Sequence, residues 1–61
     1  MKSTRYMIGD IDVNLYVEVQ KEGTIVGYPE LRNEESTPLE KIVAQSYHQL
    51  YSQLKEKVLS L

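Results

Sequence analysis

His48 is the only histidine in this 61-residue sequence, and therefore the one imidazole that could act as a general base. A histidine that acts as a general base needs a nucleophile within hydrogen-bond reach and a group that orients the ring. On a helix, Ser52 lies four residues further on and could touch it. A Ser–His pair on an exposed helix face lacks an oxyanion site and a pocket. The sequence therefore predicts a solvated histidine and a protein that is not an enzyme.

The acidic residues also fail to form a recognisable site. A Ca²⁺ loop places oxygen ligands at alternating positions around a central glycine, and the polar segment 33–37 is too short for one. With one His and 0 Cys, the usual zinc ligands are missing as well. We predict no metal site and no other cofactor. Most of the acidic residues lie in three groups: Asp10 and Asp12; Glu18 and Glu22; and Glu30, Glu34 and Glu35.

The 7 lysines and arginines are distributed over the whole chain, and the net charge is -2. Contacts to nucleic-acid phosphates need a concentrated basic patch, so nucleic acid is not the expected partner. The exception is a dimer that brings Lys2 and Arg5 from two chains together. A nucleic-acid-associated or antitoxin-like regulator acting as a dimer is therefore the alternative to the function that we predict below.

The 5 tyrosines are the least ordinary feature, because the chain has no Phe and no Trp. In the sheet predicted below, Tyr16 and Tyr28 lie on the outer face beside Met7 and Val26. Tyr and Met are enriched in protein–protein interfaces. The competing interpretation is an ordinary cross-strand aromatic pair on an exposed sheet. The residues predicted to contact a partner are Met7, Tyr16, Val26 and Tyr28 on the outer sheet face and Tyr51, Val58 and Leu61 on the helix. The expected association uses one of these surfaces or the sheet edges.

Length and composition predict one small domain that needs additional stabilisation. A lone core in a chain this short seldom contributes more than about 3–5 kcal/mol, and with 0 Cys no disulfide adds to it. Association with a second copy is the remaining source of stability, so we expect a homodimer. No apolar run is long enough for a membrane span or a signal peptide, so the expected location is the cytoplasm and no membrane partner is predicted.

Residues 11–20 alternate between apolar and polar side chains without exception, which predicts a β-strand with one dry and one wet face. A first strand is predicted over residues 3–8. Gly9 and Asp10 form a two-residue loop of the type II′ pattern. This loop places Ile8 opposite Ile11 and Tyr6 opposite Val13, all on the dry face.

A third strand is predicted over residues 24–28. A three-residue loop that ends in a left-handed Gly23 would place Tyr16 opposite Tyr28. A two-residue loop, Glu22-Gly23, would shift the register by one residue and turn Val26 and Tyr28 inward. We favour the longer loop, because the shorter one requires a positive φ at Glu22. Pro29 is expected to end the strand.

A long amphipathic helix is predicted over residues 38–60. Thr37 can act as N-cap, Pro38 suits the first helical position, and Glu40 can complete a capping box. Its apolar arc would cover the dry face of the sheet. The predicted fold is therefore α+β, a three-stranded antiparallel meander followed by one C-terminal helix packed on one sheet face. The predicted function is that of a small, non-enzymatic protein-interaction module, a homodimeric regulator or inhibitor that binds another protein.

Two stretches resemble known families. Residues 17–31, with the glycine turn at Gly23 and the run Tyr28-Pro29-Glu30-Leu31, followed by Thr37 and an amphipathic helix, resemble the antitoxin-type domain of the HicB family. That family has a further strand before its helix, and residues 32–36 are too short for it. Residues 7–10 ahead of the alternating strand are similar to the RNA-binding carbon-storage regulators, but the basic first strand of that family is missing. We transfer no functional residue from either family.

Overall fold

A computed structural model describes residues 2–61, with only the backbone described for Lys2. Its elements are β1 (Lys2–Ile8), β2 (Ile11–Val19), β3 (Ile25–Leu31), β4 (Ile42–Ala44) and α1 (Tyr47–Leu59). The strands form one antiparallel sheet in the order β1-β2-β3-β4, and α1 packs on one face of it. The predicted α+β fold, an antiparallel meander with a C-terminal helix on one face, is confirmed.

The first hairpin has the predicted register. Ile8 pairs with Ile11 and Tyr6 pairs with Val13. Gly9 has a φ of 62°, and Asp10 does not share this positive φ. Positive φ at only the first loop residue is the property that distinguishes a type II′ from a type I′ turn. The glycine is therefore required where the chain reverses.

The second hairpin has the longer of the two loops considered. Val19 pairs with Ile25 and Tyr16 with Tyr28. The backbone N–H of Gly23 donates to the carbonyl of Gln20 at 2.9 Å, and Gly23 has a φ of 94°. This register keeps the apolar residues of β2 and the aromatic pair on opposite faces of the sheet.

The predicted helix start at residue 38 is wrong, and the sheet has four strands rather than three. Ile42–Ala44 forms the short strand β4, which pairs with the first residues of β3. Pro29 does not end β3; instead its carbonyl accepts a hydrogen bond from the backbone N–H of Leu39 at 2.9 Å. Backbone groups on the free edge of β3 need partners, and the β-branched pair Ile42-Val43 suits a strand. This requirement outweighs the cap signal at Thr37.

The helix starts nine residues later, at a Ser-x-x-Gln pattern that the sequence analysis did not use and that forms a variant of the capping box. In this variant the Gln49 side chain bonds the backbone of Gln45, the residue before the N-cap, instead of that of Ser46. The Ser46 hydroxyl accepts a hydrogen bond from the backbone N–H of Gln49 at 3.1 Å. The Gln49 side chain in turn accepts from the backbone N–H of Gln45 at 2.6 Å. Ser-x-x-Gln is a recognised helix-start pattern, so the bounds predicted for the helix could have been corrected from the sequence.

The core lies between the dry face of the sheet and one face of α1, where Leu50, Leu54 and Val58 are buried. Gly27 allows the close approach of the helix to β3. A Cβ atom at this position would lie 2.7 Å from Cδ1 of Leu50 and 3.1 Å from Cδ1 of Leu15. No helix in residues 2–61 is long and apolar enough to cross a membrane.

The helix is too short to cover the whole dry face. Its 13 residues span about 20 Å, whereas the 9 residues of β2 span about 30 Å. Val13 is 0% exposed, but Val19, on the same face of the same strand, is 55% exposed. The uncovered corner, at the start of β1 and the end of β2, is the candidate site.

Candidate functional site

An apolar groove of about 770 Å³ lies between the uncovered strand ends and the first turns of α1. We call it the corner groove. Its floor is formed by Leu15, Val17 and Val19 of β2. Tyr6 of β1 lies on one side, and Tyr47 and Tyr51 of α1 lie on the other side.

The alternation of β2 explains why the floor is apolar. Leu15, Val17 and Val19 all point to the dry face, and Leu15 is fully buried while Val17 is only half-buried. The apolar alternation of β2 continues to Val19, beyond the part of the strand that the helix covers. The chain therefore leaves valine side chains in a concave surface that nothing in residues 2–61 covers.

Tyrosines form the sides of the corner groove. The rings of Tyr6 and Tyr51 lie 5.4 Å apart, centroid to centroid, with 47° between their planes. This tilted contact joins β1 to α1 and lies in the normal range for aromatic pairs. Tyr47, one turn earlier on the helix, is 62% exposed. A concave apolar floor with hydroxyl-bearing aromatic rings around it is typical of binding sites.

His48 also borders the corner groove, together with Thr4. His48 and Ser52 are both exposed, and none of the hydrogen bonds found among the described side chains joins them. The Ser–His pair considered from the sequence is therefore not formed. The sequence analysis did not predict that His48 borders the groove, because it placed His48 on the solvated face of the helix.

The strongest ionic contact lies on the outer face of the sheet, behind the corner groove. Nη2 of Arg5 lies 2.6 Å from Oδ2 of Asp12, and its Nε donates to Oδ1 at 2.9 Å. Arg32 approaches the same carboxylate at 3.6 Å. Hydrogen bonding by Arg5, helped by the two positive charges, lowers the pKa of Asp12 below its ordinary value. The charge of Arg5 is therefore balanced within the chain.

The outer edge of β1 runs beside the corner groove, and its backbone groups have no partner strand among residues 2–61. The carbonyl of Asp12 accepts a hydrogen bond from the backbone N–H of Arg32 at 2.9 Å, so it faces β3. Met7, which pairs with Asp12, consequently directs its own N–H and C=O away from the sheet. By strand alternation, Ser3 and Arg5 do the same.

The predicted interface residues do not form one surface. Met7, Tyr28 and Leu61 are exposed, Tyr16 is half-buried, and Tyr51 lines the corner groove. Val26 is 5% exposed and Val58 is 1% exposed, so neither is available to a partner of the folded chain. Val58 lies in the core because the helix directs it at the sheet, and Val26 is enclosed on the outer face between its paired neighbours Glu18 and Val43.

The sequence analysis placed Val17, Val19 and Tyr6 on the dry face that the helix was expected to cover, and it did not predict that they line a groove with Tyr47. The capping box at Ser46 was the signal that could have exposed the error, since it shortens the helix and uncovers the corner. Within residues 2–61 no group of three His, Cys, Asp or Glu side chains is placed to hold a metal ion. Comparisons with protein-family models, with curated proteins and with solved structures found no match.

Proposed function

We propose that this protein is a small, non-enzymatic interaction module, a regulator or inhibitor that holds an apolar segment of another protein in the corner groove. The observation that supports this proposal is a groove of about 770 Å³, with valine side chains on its floor, in a chain of 61 residues. Large exposed apolar patches on small proteins usually mark interaction sites.

The chemistry of the groove favours a protein segment over a reacting substrate. Tyrosine supplies a large contact area with little conformational entropy to lose, and it is enriched at the centres of interfaces. Tyr6, Tyr47 and Tyr51 offer ring faces to an apolar side chain and hydroxyls to a neighbouring backbone. We propose the cytoplasm as the compartment, because a chain with 0 Cys needs no oxidising environment.

Val19→Glu tests the proposal, with Val43→Glu as the matched control. Both valines lie on strands and are about half exposed, at 55% and 50%, but Val43 points to the outer face on the far edge of the sheet. A glutamate at Val19 places an unpaired charge on the floor of the groove.

Proteins captured from a lysate by tagged wild-type chain are identified, purified and titrated against both variants by calorimetry. We expect Val19→Glu to raise the Kd at least about tenfold, which is about 1.4 kcal/mol, and Val43→Glu to leave it unchanged. Equal affinity of Val19→Glu and wild type for the purified partner would refute the corner groove as the binding site.

A further inference from the structure

We infer that a second copy of the chain pairs with the free edge of β1, antiparallel and about a two-fold axis, so that the two corner grooves join into one groove lined by both copies. The inference deepens the proposed function: the second copy completes the site that would hold the partner. The inference rests on the free edge of β1 and on the difference between this edge and the opposite edge of the same sheet.

The two edges of the sheet are protected to different degrees. β4 has 3 residues, and beyond it the edge of β3 is covered by the bridge between Glu30 and Pro38. β1 has 7 residues in unbroken register with β2, without a proline, a glycine or a bulge. Long, flat, unprotected edges are rare in proteins that remain alone, because they pair with other strands.

Charge protects positions 3–8 of the β1 edge only weakly. Arg5 is the charged residue within these positions, and Asp12 of the neighbouring strand holds it through a two-pronged hydrogen-bonded contact. Arg5 therefore repels an approaching strand less than an unpaired arginine would. The edge offers N–H and C=O groups at Ser3, Arg5 and Met7, every second residue, which is the spacing that an antiparallel strand requires.

A second β1 meets this requirement in one favoured register. If Tyr6 faces Tyr6 of the second copy, Arg5 lies opposite Met7, and both residues of that pair have outward N–H and C=O groups. If the axis passes through Arg5 instead, two guanidinium groups lie directly opposite each other, which is destabilising. Of the registers that separate the guanidinium groups, we choose the axis through Tyr6, because it pairs two groove-lining aromatic side chains at a position without direct backbone hydrogen bonds, where side chains approach closely.

The same arrangement completes the corner groove. In one chain the groove is open beyond β1, where Thr4 is exposed. In the chosen register Ile8 of the second copy lies opposite Thr4, and the two grooves meet at the facing Tyr6 side chains. A standard interface buries about 800 Å² per partner, close to a fifth of the 4393 Å² that the chain exposes. One strand edge with adjoining tyrosines is smaller, so we expect a reversible dimer.

Proline scanning of the edge tests the inference by sedimentation equilibrium over a range of chain concentrations. Met7→Pro removes an N–H that points away from β2, so the hairpin keeps its own hydrogen bonds. We expect wild type and the control Met7→Ala to dimerise and Met7→Pro to dimerise at least tenfold more weakly, with circular dichroism verifying the fold of each. A wild type that stays monomeric, or a folded Met7→Pro that dimerises as well as Met7→Ala, would overturn the inference.

A cysteine cross-link tests the register without proline, because the natural chain has 0 Cys. Tyr6→Cys places two thiols opposite each other across the axis, at a Cα separation that a disulfide can bridge. The control Arg5→Cys pairs with Met7 of the second copy and has no thiol opposite. Under mild oxidation we expect covalent dimers from Tyr6→Cys in large excess over Arg5→Cys. Equal cross-linking of the two variants would contradict the Tyr6 axis.

The inference and the proposed function fail in different ways. A protein that dimerises as described but shows no difference between Val19→Glu and Val43→Glu in partner binding refutes the function and leaves the dimer. A monomeric wild type that loses its partner only in Val19→Glu refutes the dimer and leaves the function.

Discussion

One sheet face shows two regions that differ in what covers them. Over β3 and β4 the helix packs directly on the strands, and Ile25, Ile42 and Ala44 are buried. Over the start of β1 and the end of β2, side chains of the same apolar pattern face the corner groove. The difference arises from helix length, not from side-chain type. An alternating apolar pattern therefore identifies which face of a strand is apolar, but it does not show which element covers that face.

The two regions should consequently carry different properties of the protein. Core residues under the helix stabilise the fold, so substitutions there should be seen in unfolding experiments. Val19 and Tyr47 of the corner groove are already solvent-exposed, so substitutions there should change binding and leave stability nearly unaltered.

Leu50→Asp should unfold the chain. Leu50 is 2% exposed, and its Cδ1 atom packs closely against Gly27 of β3. A carboxylate buried there without a partner costs several kcal/mol, which exceeds the roughly 3–5 kcal/mol that a core of this size supplies. Circular dichroism should show a loss of helix and strand signals. The control Ser52→Asp, exposed on the same helix, should keep the wild-type spectrum, and a folded Leu50→Asp would contradict the packing of helix on sheet.

Gly27→Ala should lower the free energy of unfolding by about 1–3 kcal/mol, because the added methyl overlaps Cδ1 of Leu50 at 2.7 Å. Urea denaturation measures the change. The double variant with Leu50→Ala sharpens the test, since the smaller side chain leaves room for the methyl. We expect the cost of Gly27→Ala to shrink in the Leu50→Ala background, and equal costs in both backgrounds would argue against this contact.

Ser46→Ala should cost about 1 kcal/mol, the usual effect of removing an N-cap side chain. Its hydroxyl accepts the hydrogen bond of Gln49 at the boundary between the covered and the open region. Thr37→Ala is the control, because Thr37 lies before β4 and caps no helix. Urea denaturation should show the larger loss for Ser46→Ala. The reverse order would mean that the Ser46 cap contributes less than the hydrogen bonds between the Thr37 hydroxyl and Asn33.

The hairpins could be predicted from the sequence in detail, because local rules determine them. Glycine position selected both turns, and alternation fixed both registers. The helix start was predicted wrongly, because the local signal at Thr37-Pro38 competes with the Ser-x-x-Gln pattern at Ser46, and a tertiary requirement decides between them. Ile42-Val43 fits a helix face or a strand equally well, and only the free edge of β3 decides between them. The corner groove depends on that decision, so it escaped prediction together with β4.

The smallest effect should come from acidification, and it concerns the outer face of the sheet alone. The pKa of Asp12 is lowered by its hydrogen bonds from Arg5, whereas none of the buried core side chains is polar or charged. A carboxyl group with a lower pKa in the folded state stabilises the protein above its unfolded pKa of about 3.9. That contribution is lost as the pH falls through the lower, folded pKa. It should be constant from neutrality down to about pH 5.

The other carboxylates also titrate in this range, so the informative quantity is the stability difference between wild type and Asp12→Asn. Urea midpoints measured from pH 7 to below the unfolded pKa should show this difference shrinking as acid protonates the wild-type carboxyl. The amide variant keeps a side chain of similar size but cannot gain or lose the charge. A difference that stays the same at every pH would mean that Arg5 contributes nothing through the charge of Asp12. The β1 edge would then present an arginine whose charge is not balanced, which would also weaken the case for pairing between two copies.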